Sequence, residues 1–165
     1  PDGELALSIP TVKPDTLKCP MKDIRISDHG NWRHLHWNAI ESAYNNTPFF
    51  EYYKDDFRPF YEKKYEFLID FNEEICRLVC QLIDIQPNIE RTSAYKMEFS
   101  AEETDFRESI HPKKDFRTTD PEFAPQPYYQ VFESKLGFLP NLSIIDLLFN
   151  MGPESLLVLK KPTRL

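Results

Sequence analysis

The chain has 165 residues, 41% of them hydrophobic and 14% aromatic, which is enough apolar material for one folded domain. Its net charge is −7 and its lysines and arginines form only short pairs, so a nucleic-acid or anionic-membrane partner is disfavoured, because both bind concentrated positive charge. No apolar run approaches the ~20 residues of a membrane-spanning helix, and the three cysteines cannot all pair as disulfides. These features together predict a cytoplasmic protein without a membrane span.

Three short segments with alternating apolar residues are predicted as β-strands, at residues 5–9, 23–27 and 92–99. The polar, proline-rich stretch 100–127 has neither strand nor helix periodicity, and we predict a long surface loop there. Loops of this length are either lids and binding segments or variable excursions, and both interpretations remain open.

Apolar residues at helical spacing predict α-helices in the remaining segments. The first helix spans 32–45, and the aromatic segment 49–65 is predicted as one or two short helices with a break near Pro59. The predicted apolar face of the first helix consists of Trp32, Leu35, Ala39 and Ala43.

A further helix is predicted to start at Asp70, whose side chain would cap it with Glu73 three residues on, and to stop before Pro87. Glu73 and Arg77 are spaced to pair on its exposed face. The last predicted helices are 130–136, 144–150 and 154–160.

The interleaving of helices and strands predicts a mixed, helix-rich α/β fold in which helices cover a layered sheet, with α+β as the alternative. Residues 1–165 are predicted to form a single domain. The chain opens with Pro-Asp-Gly rather than Met, so we expect its natural N-terminal part, with further strands, to be missing.

Motifs for cofactors and metals are not found in the sequence. Its four glycines form no dinucleotide fingerprint, phosphate-binding loop or nucleophile elbow. His34 and His36 would point ~200° apart on a helix and cannot share one metal ion. Cys76 and Cys80 have no further donors nearby and are interpreted as buried, inert thiols. We therefore predict no cofactor and no metal site.

Two pairs of polar residues admit both a functional and a structural interpretation. Asp28 and His29 are candidate catalytic residues, because a carboxylate and an imidazole can act as an acid–base pair, or Asp28 caps the following helix. Ser143 and Asp146 have capping-box spacing, whereas Asn141 and Ser143 could instead present donors to an anion. We expect this C-terminal segment to pack against the helix at 32–45.

Two parts of the chain resemble the WbqC-like family of bacterial proteins. One is 138–154, FLPNLSIIDLLFNMGPE, preceded by YYQVF at 128–132, and the other is 28–44 followed by TPFF at 47–50. The resemblance implies a role in the biosynthesis of O-antigen, lipopolysaccharide and other surface polysaccharides. It further implies a transferase that acts on an activated sugar or acyl (aminoacyl) donor.

The resemblance also implies a set of substrate-binding residues, and part of the site would lie in the missing N-terminal part of the family pattern. The alternative function is a non-catalytic binding or assembly protein of the same pathway, which would use an aromatic groove at 49–61. A third hypothesis is a nucleotide binder whose phosphate-binding turn precedes this chain. The implied substrate-binding residues are Tyr44, Gln130, Asn141, Ser143, Asp146 and Asn150.

Overall fold

The computed structural model describes residues 3–16, 18–107, 110, 114–121 and 123–160, and its regular elements are helices. The α-helices are α1 (Trp32–Tyr44), α2 (Phe50–Glu62), α3 (Leu68–Leu82), α4 (Phe116–Thr119), α5 (Glu133–Leu136), α6 (Ile144–Met151) and α7 (Ser155–Leu159). Short 3₁₀ turns occupy Met21–Asp23, His29–Asn31 and Gly152–Glu154.

The predicted layered sheet is wrong, and so is the α+β alternative. The described part of the chain contains no β-strand, only two isolated antiparallel bridges. The predicted strands at 5–9 and 92–99 have no neighbouring strand, and a strand is stable only where its backbone N–H and C=O groups find ladder partners. In these two segments the alternation of apolar residues therefore does not correspond to a sheet, because each segment has no strand to pair with. The bridges join Thr11 to Ile26 and Arg25 to Phe67.

Helix α1 is confirmed, but its buried face differs from the predicted one. Leu35, expected inside, is 58% exposed. Helix α2 runs through Pro59 without interruption, so the predicted break is wrong. Pro59 lies in the last turn of α2, where the missing N–H costs a single intrahelical bond. The buried residues of α1 are Trp32, His36, Trp37 and Ile40.

Helix α3 begins two residues before its predicted start. Asp70 makes no capping bond and instead pairs with Arg91, with 3.4 Å between Oδ1 and Nη2. The predicted pair of Glu73 and Arg77 is confirmed, with 2.9 Å between Oε2 and Nη2. Both pairs lie near the surface, where ion pairs stabilise a fold only slightly.

The buried apolar residues form two clusters, and the larger one includes Leu148 and Phe149 of helix α6. Leu148 and Phe149 are fully buried. The Phe149 ring meets Tyr44 at 5.1 Å, Phe50 at 5.2 Å and Phe57 at 5.3 Å between centroids, each edge-on, which is a favourable aromatic geometry. The expected packing of the C-terminal segment against the helix at 32–45 is thus confirmed through the contact of Phe149 with Tyr44.

A second, smaller hydrophobic cluster surrounds the start of α1 and consists of Ile26, Trp32, Tyr65 and Phe71. Within the predicted loop 100–127 the structure has the single-turn helix α4, while residues 108–109, 111–113 and 122 lie outside the described residues. The role of this loop and the single-domain organisation remain predictions. Among the described helices, none has the length and apolar character needed to cross a membrane.

Candidate functional site

A cavity of about 420 Å³ lies between α1, α6, the segment 130–143 and the N-terminal residues 3–9. Small-molecule sites typically have volumes of roughly 300–1,000 Å³, so this cavity is large enough for one small ligand. Its apolar wall residues include Leu5, Leu7, Ile75, Leu139, Leu142 and Ile145.

One face of α1 forms the floor of the cavity. His36, Ala39, Ile40, Ala43 and Tyr44 all line it, and their spacing of three and four residues places them on one side of the helix. From His36 to Tyr44 the floor is ~12 Å long, because an α-helix rises about 1.5 Å per residue. The small side chains of Ala39 and Ala43 leave open the space that larger side chains would fill. The floor is therefore apolar between His36 at one end and Tyr44 at the other.

The carboxylate of Asp146 lies at the Tyr44 end and is only 6% exposed. Its Oδ2 accepts hydrogen bonds from the Tyr128 hydroxyl at 2.7 Å and from the Gln130 amide at 3.1 Å. The Tyr44 hydroxyl lies near the same side chain, whose charge adds to the effect of burial in raising the pKa of Tyr44. A buried carboxylate is tolerated only when it is hydrogen-bonded or paired, and the bonds from Tyr128 and Gln130 meet that requirement.

Two buried amides fix the wall of the cavity next to Asp146. Gln130 donates to the carbonyl of Leu139 and accepts from its N–H, both at 2.9 Å, in place of a backbone partner. Asn150 donates to the Asp146 carbonyl at 2.8 Å and accepts the N–H of Val131 at 3.0 Å. These bonds hold the segments around residues 130 and 139 against α6.

The electrostatic character of the cavity is acidic. Burial raises the pKa of the Tyr44 and Tyr128 hydroxyls, and the neighbouring charge of Asp146 raises both further, so both remain donors at neutral pH. Burial also raises the pKa of Tyr61 to about 12. The described residues that line the cavity include Glu4 and Asp146 but no lysine or arginine.

His36 lies at the opposite end of the floor, 8% exposed. Desolvation lowers its pKa, and a hydrogen bond from the ring to the Ser8 carbonyl opposes that shift in part. When the ring is neutral, one of its nitrogens is a donor and the other an acceptor. Sequence analysis assigned no function to His36. The one signal that could have found it was a histidine on the buried face of α1.

Five of the six predicted substrate-binding residues line the cavity. The sixth, Asn141, is exposed and lies in the turn before α6 with a left-handed φ of 57°. The predicted capping box is wrong, since Ser143 makes no side-chain capping bond and the Asp146 side chain joins the tyrosines instead. The role of the six predicted residues in binding a substrate remains a prediction. The five residues are Tyr44, Gln130, Ser143, Asp146 and Asn150.

Asp28 and His29 lie at the start of α1, apart from the residues that line the cavity. Asp28 pairs with Lys64 at 2.9 Å and with Arg33 at 2.5 Å, and these two hydrogen bonds hold the pKa of its carboxyl below its usual value. Asp28 does not cap the helix, because neither it nor Asn31 makes a side-chain capping bond. The catalytic assignment of the pair remains a prediction.

The histidines and cysteines considered as metal ligands differ in their burial. His34 is exposed and bonds to Asn38 at 3.0 Å, whereas His36 is buried. Cys76 is exposed and Cys80 is half-buried, so the predicted burial of both thiols is wrong for Cys76. In the described residues, no group of three or more histidine, cysteine or acidic side chains is placed to hold a metal ion.

The described residues form a helical protein with a cavity whose lining carries acidic but no basic side chains. The family model described as WbqC-like protein family matches residues 1–113 of the chain, and the chain belongs to that family. The match covers the floor of the cavity on α1 but ends before the segment 128–154 that carries Gln130 and Asp146. No curated protein and no solved structure matches the chain.

Proposed function

We propose that this protein is a bacterial, cytoplasmic transferase of O-antigen or related surface-polysaccharide biosynthesis that acts on an activated sugar or acyl donor. The observation that carries the proposal is the cavity, which is lined by the buried Asp146 and by four more of the residues implied by the resemblance. A largely apolar cavity with a few converging polar groups is the usual form of a small-molecule site.

The chemistry of the walls favours an acyl group over a sugar ring. Most of the lining side chains are apolar, and a sugar would leave many of its hydroxyl groups without partners there. The lack of lysine and arginine in the described lining also disfavours a phosphate inside the cavity. We therefore assign the cavity to the transferred acyl group and place any phosphate of the activated donor outside it.

His36 is the residue of the cavity best suited to proton transfer. In an acyl transfer, a hydroxyl or amine of the acceptor attacks the donor carbonyl, the bond to the leaving group breaks, and the acceptor loses a proton to a base. A neutral imidazole is a common base for this step, and desolvation lowers the pKa of His36. Asp28 and His29 remain predicted acid–base residues, but they lie apart from the lining residues.

The alternative of a binding or assembly protein with an aromatic groove at 49–61 has less support. Phe50, Tyr53 and Phe57 point into the core, each no more than 3% exposed. Tyr52 is the large side chain of this segment that is openly exposed, at 75%. A single exposed ring does not form a groove.

A thermal-shift screen of the purified chain against nucleotide sugars, free amino acids and activated acyl donors tests the proposal. A ligand at a hundredfold excess over its Kd stabilises the native state by about 2.7 kcal/mol, which is readily measured. We expect acyl donors to raise the melting temperature, and mass spectrometry to detect the transferred group on a sugar acceptor. Binding without transfer to any acceptor would favour the non-catalytic alternative, and no shift from any donor would count against a small-molecule function.

A further inference from the structure

We infer that the ligand of the cavity is an elongated, apolar molecule with a positively charged nitrogen at one end, which pairs with Asp146. The inference rests on the proposed function, because it describes the substrate class of the same cavity. It goes further by fixing the charge of the ligand, its polarity along its length and the direction in which it lies.

The charge of the ligand follows from the environment of Asp146. No ion pair among the described residues includes Asp146, and its hydrogen-bond donors Tyr128 and Gln130 are uncharged groups. A carboxylate has about four acceptor positions, so at least one remains for a ligand. An ammonium group of a ligand placed there would form a charge-assisted hydrogen bond, which is roughly twice as strong as a neutral one.

The remaining lining explains why an anionic ligand is excluded. The other acidic residue of the described lining, Glu4, adds negative charge, and His36 loses its positive charge more readily than an exposed histidine because desolvation lowers its pKa. A carboxylate or phosphate in the cavity would therefore meet repulsion without a compensating cation. A cation would instead be attracted by both acidic side chains of the described lining, Glu4 and Asp146.

The direction of the ligand follows from the order of residues on α1. One end of the cavity is formed by Tyr44 and Asp146. The apolar part of the floor between that end and His36 consists of Ala39, Ile40 and Ala43. The ~12 Å between the two ends suits a chain of several carbon atoms better than a compact molecule. The ammonium end therefore lies at Tyr44 and the apolar body lies along α1.

Three six-carbon probes test the charge of the ligand: hexylamine, hexanol and hexanoate. Each is titrated against the chain by calorimetry at pH 7. We expect hexylamine to bind on the order of tenfold more tightly than hexanol, and hexanoate to bind most weakly, because only the amine pairs with Asp146. Equal or tighter binding of hexanol or hexanoate would overturn the inference while leaving a small-molecule cavity in place. Binding of none of the three would count against both the inference and the proposed cavity function.

Two variants locate the effect. Asp146→Asn keeps the size and one acceptor oxygen of the side chain and removes its charge, so the preference for hexylamine over hexanol should fall by on the order of tenfold. Asp55→Asn, at an exposed position on α2, is the matched control and should keep the wild-type preference. An unchanged preference in Asp146→Asn would contradict the inference.

Because Asp146→Asn could also disturb folding, a second variant leaves the charge in place. Ala39→Leu fills the floor between His36 and Tyr44 and should weaken hexylamine binding more than methylamine binding, because methylamine needs only the Asp146 end. Ser42→Leu adds the same side chain at an exposed position of the same helix and should change neither ligand. Unchanged binding of hexylamine by a folded Ala39→Leu variant would overturn the assigned direction.

Discussion

Gln130 is the residue whose side chain connects most parts of the cavity wall. It is 6% exposed, bonds to both backbone groups of Leu139 and donates to Asp146. Gln130→Ala would leave these buried groups without partners, at a cost of about 1–3 kcal/mol for an unsatisfied group. We expect the free energy of unfolding to fall by about 2–3 kcal/mol in urea titrations.

The control for this variant is Gln81→Ala, at an exposed position on α3. Exposed substitutions of this kind usually change stability by less than about 0.5 kcal/mol. If Gln130→Ala were no more destabilising than Gln81→Ala, the hydrogen-bond network around Asp146 would not hold the wall in place.

His36 predicts a particular dependence of stability on pH. Desolvation lowers its pKa in the folded chain below the ordinary value of 6.5, so the unfolded chain binds the proton more readily. Stability from the neutral ring is complete above pH 6.5 and is lost as the pH falls towards the lower, folded pKa. In His36→Gln this loss should be smaller, as measured by urea unfolding at several values between pH 7.5 and pH 5.

His34→Gln changes an exposed histidine on the same helix and should leave the wild-type pH dependence intact. The account of His36 fails if His36→Gln and the wild type lose stability equally over that range of pH.

At this scale, the sequence could nominate residues but could not say which of them meet. The resemblance noted in the sequence suggested Gln130, Asp146 and Tyr44, and these do lie around one cavity, although only Tyr44 falls within the residues that the family model matches. The capping-box spacing of Asp146 suggested a local role, because spacing reports only neighbours along the chain. Its partner Tyr44 is about a hundred residues away in sequence, and no local pattern announces such a contact.

At the scale of elements, the junction of α6 and α7 depends on Gly152. Its φ is 55°, and a Cβ atom there would lie 2.5 Å from the Phe49 ring. Gly152→Ala combines left-handed strain of about 1–2 kcal/mol with a steric clash of about 1–3 kcal/mol. We expect it to lower the free energy of unfolding by about 3 kcal/mol, as measured by chemical denaturation.

Gly30→Ala separates the two terms of that prediction. Gly30 also has a positive φ, of 75°, but no atom lies within 4 Å of the added Cβ. Only the strain of about 1–2 kcal/mol should appear there. Equal losses in both variants would mean that the close contact between Gly152 and Phe49 contributes nothing.

At Pro59 we expect a substitution to raise the free energy of unfolding rather than lower it. It is exposed in the last turn of α2, where alanine would restore a helical N–H. Part of the gain is offset, because proline also restricts the unfolded chain by about 0.4–1 kcal/mol. We expect Pro59→Ala to raise the free energy of unfolding by about 1 kcal/mol in urea titrations, with Asp56→Ala on the same helix near neutral. A decrease would show that the fixed φ of proline stabilises this turn.

The helices of the chain could be predicted from the sequence, whereas the strands could not. The 3.6-residue period is satisfied within one segment, so α1, α3 and α6 were recognisable from their own residues. A strand needs a second segment, and Tyr95 and Met97 alternate as a strand would yet remain 78% and 82% exposed. The two-residue alternation reports only on the local chain and cannot show whether a second strand is present to pair with it.

At the scale of the whole molecule, the cavity exists because distant segments close on α1. Residues 3–9 form one wall, α6 and the segment 130–143 form the others, and α1 forms the floor. The aromatic contacts of Phe149 hold α6 in that position. The sequence predicted that the C-terminal segment returns to α1, but the cavity also depends on the N-terminal segment, which was expected to lie in a sheet.

The central claim is that this cavity, floored by α1, is where the protein binds its donor. The most direct test is isothermal titration of the activated acyl donors against the wild type, Ala43→Leu and Ser42→Leu. We predict that at least one donor binds the wild type and Ser42→Leu with equal Kd and binds Ala43→Leu roughly tenfold or more weakly. The claim is contradicted if no donor binds the wild type, or if a folded Ala43→Leu variant binds that donor as tightly as the wild type does.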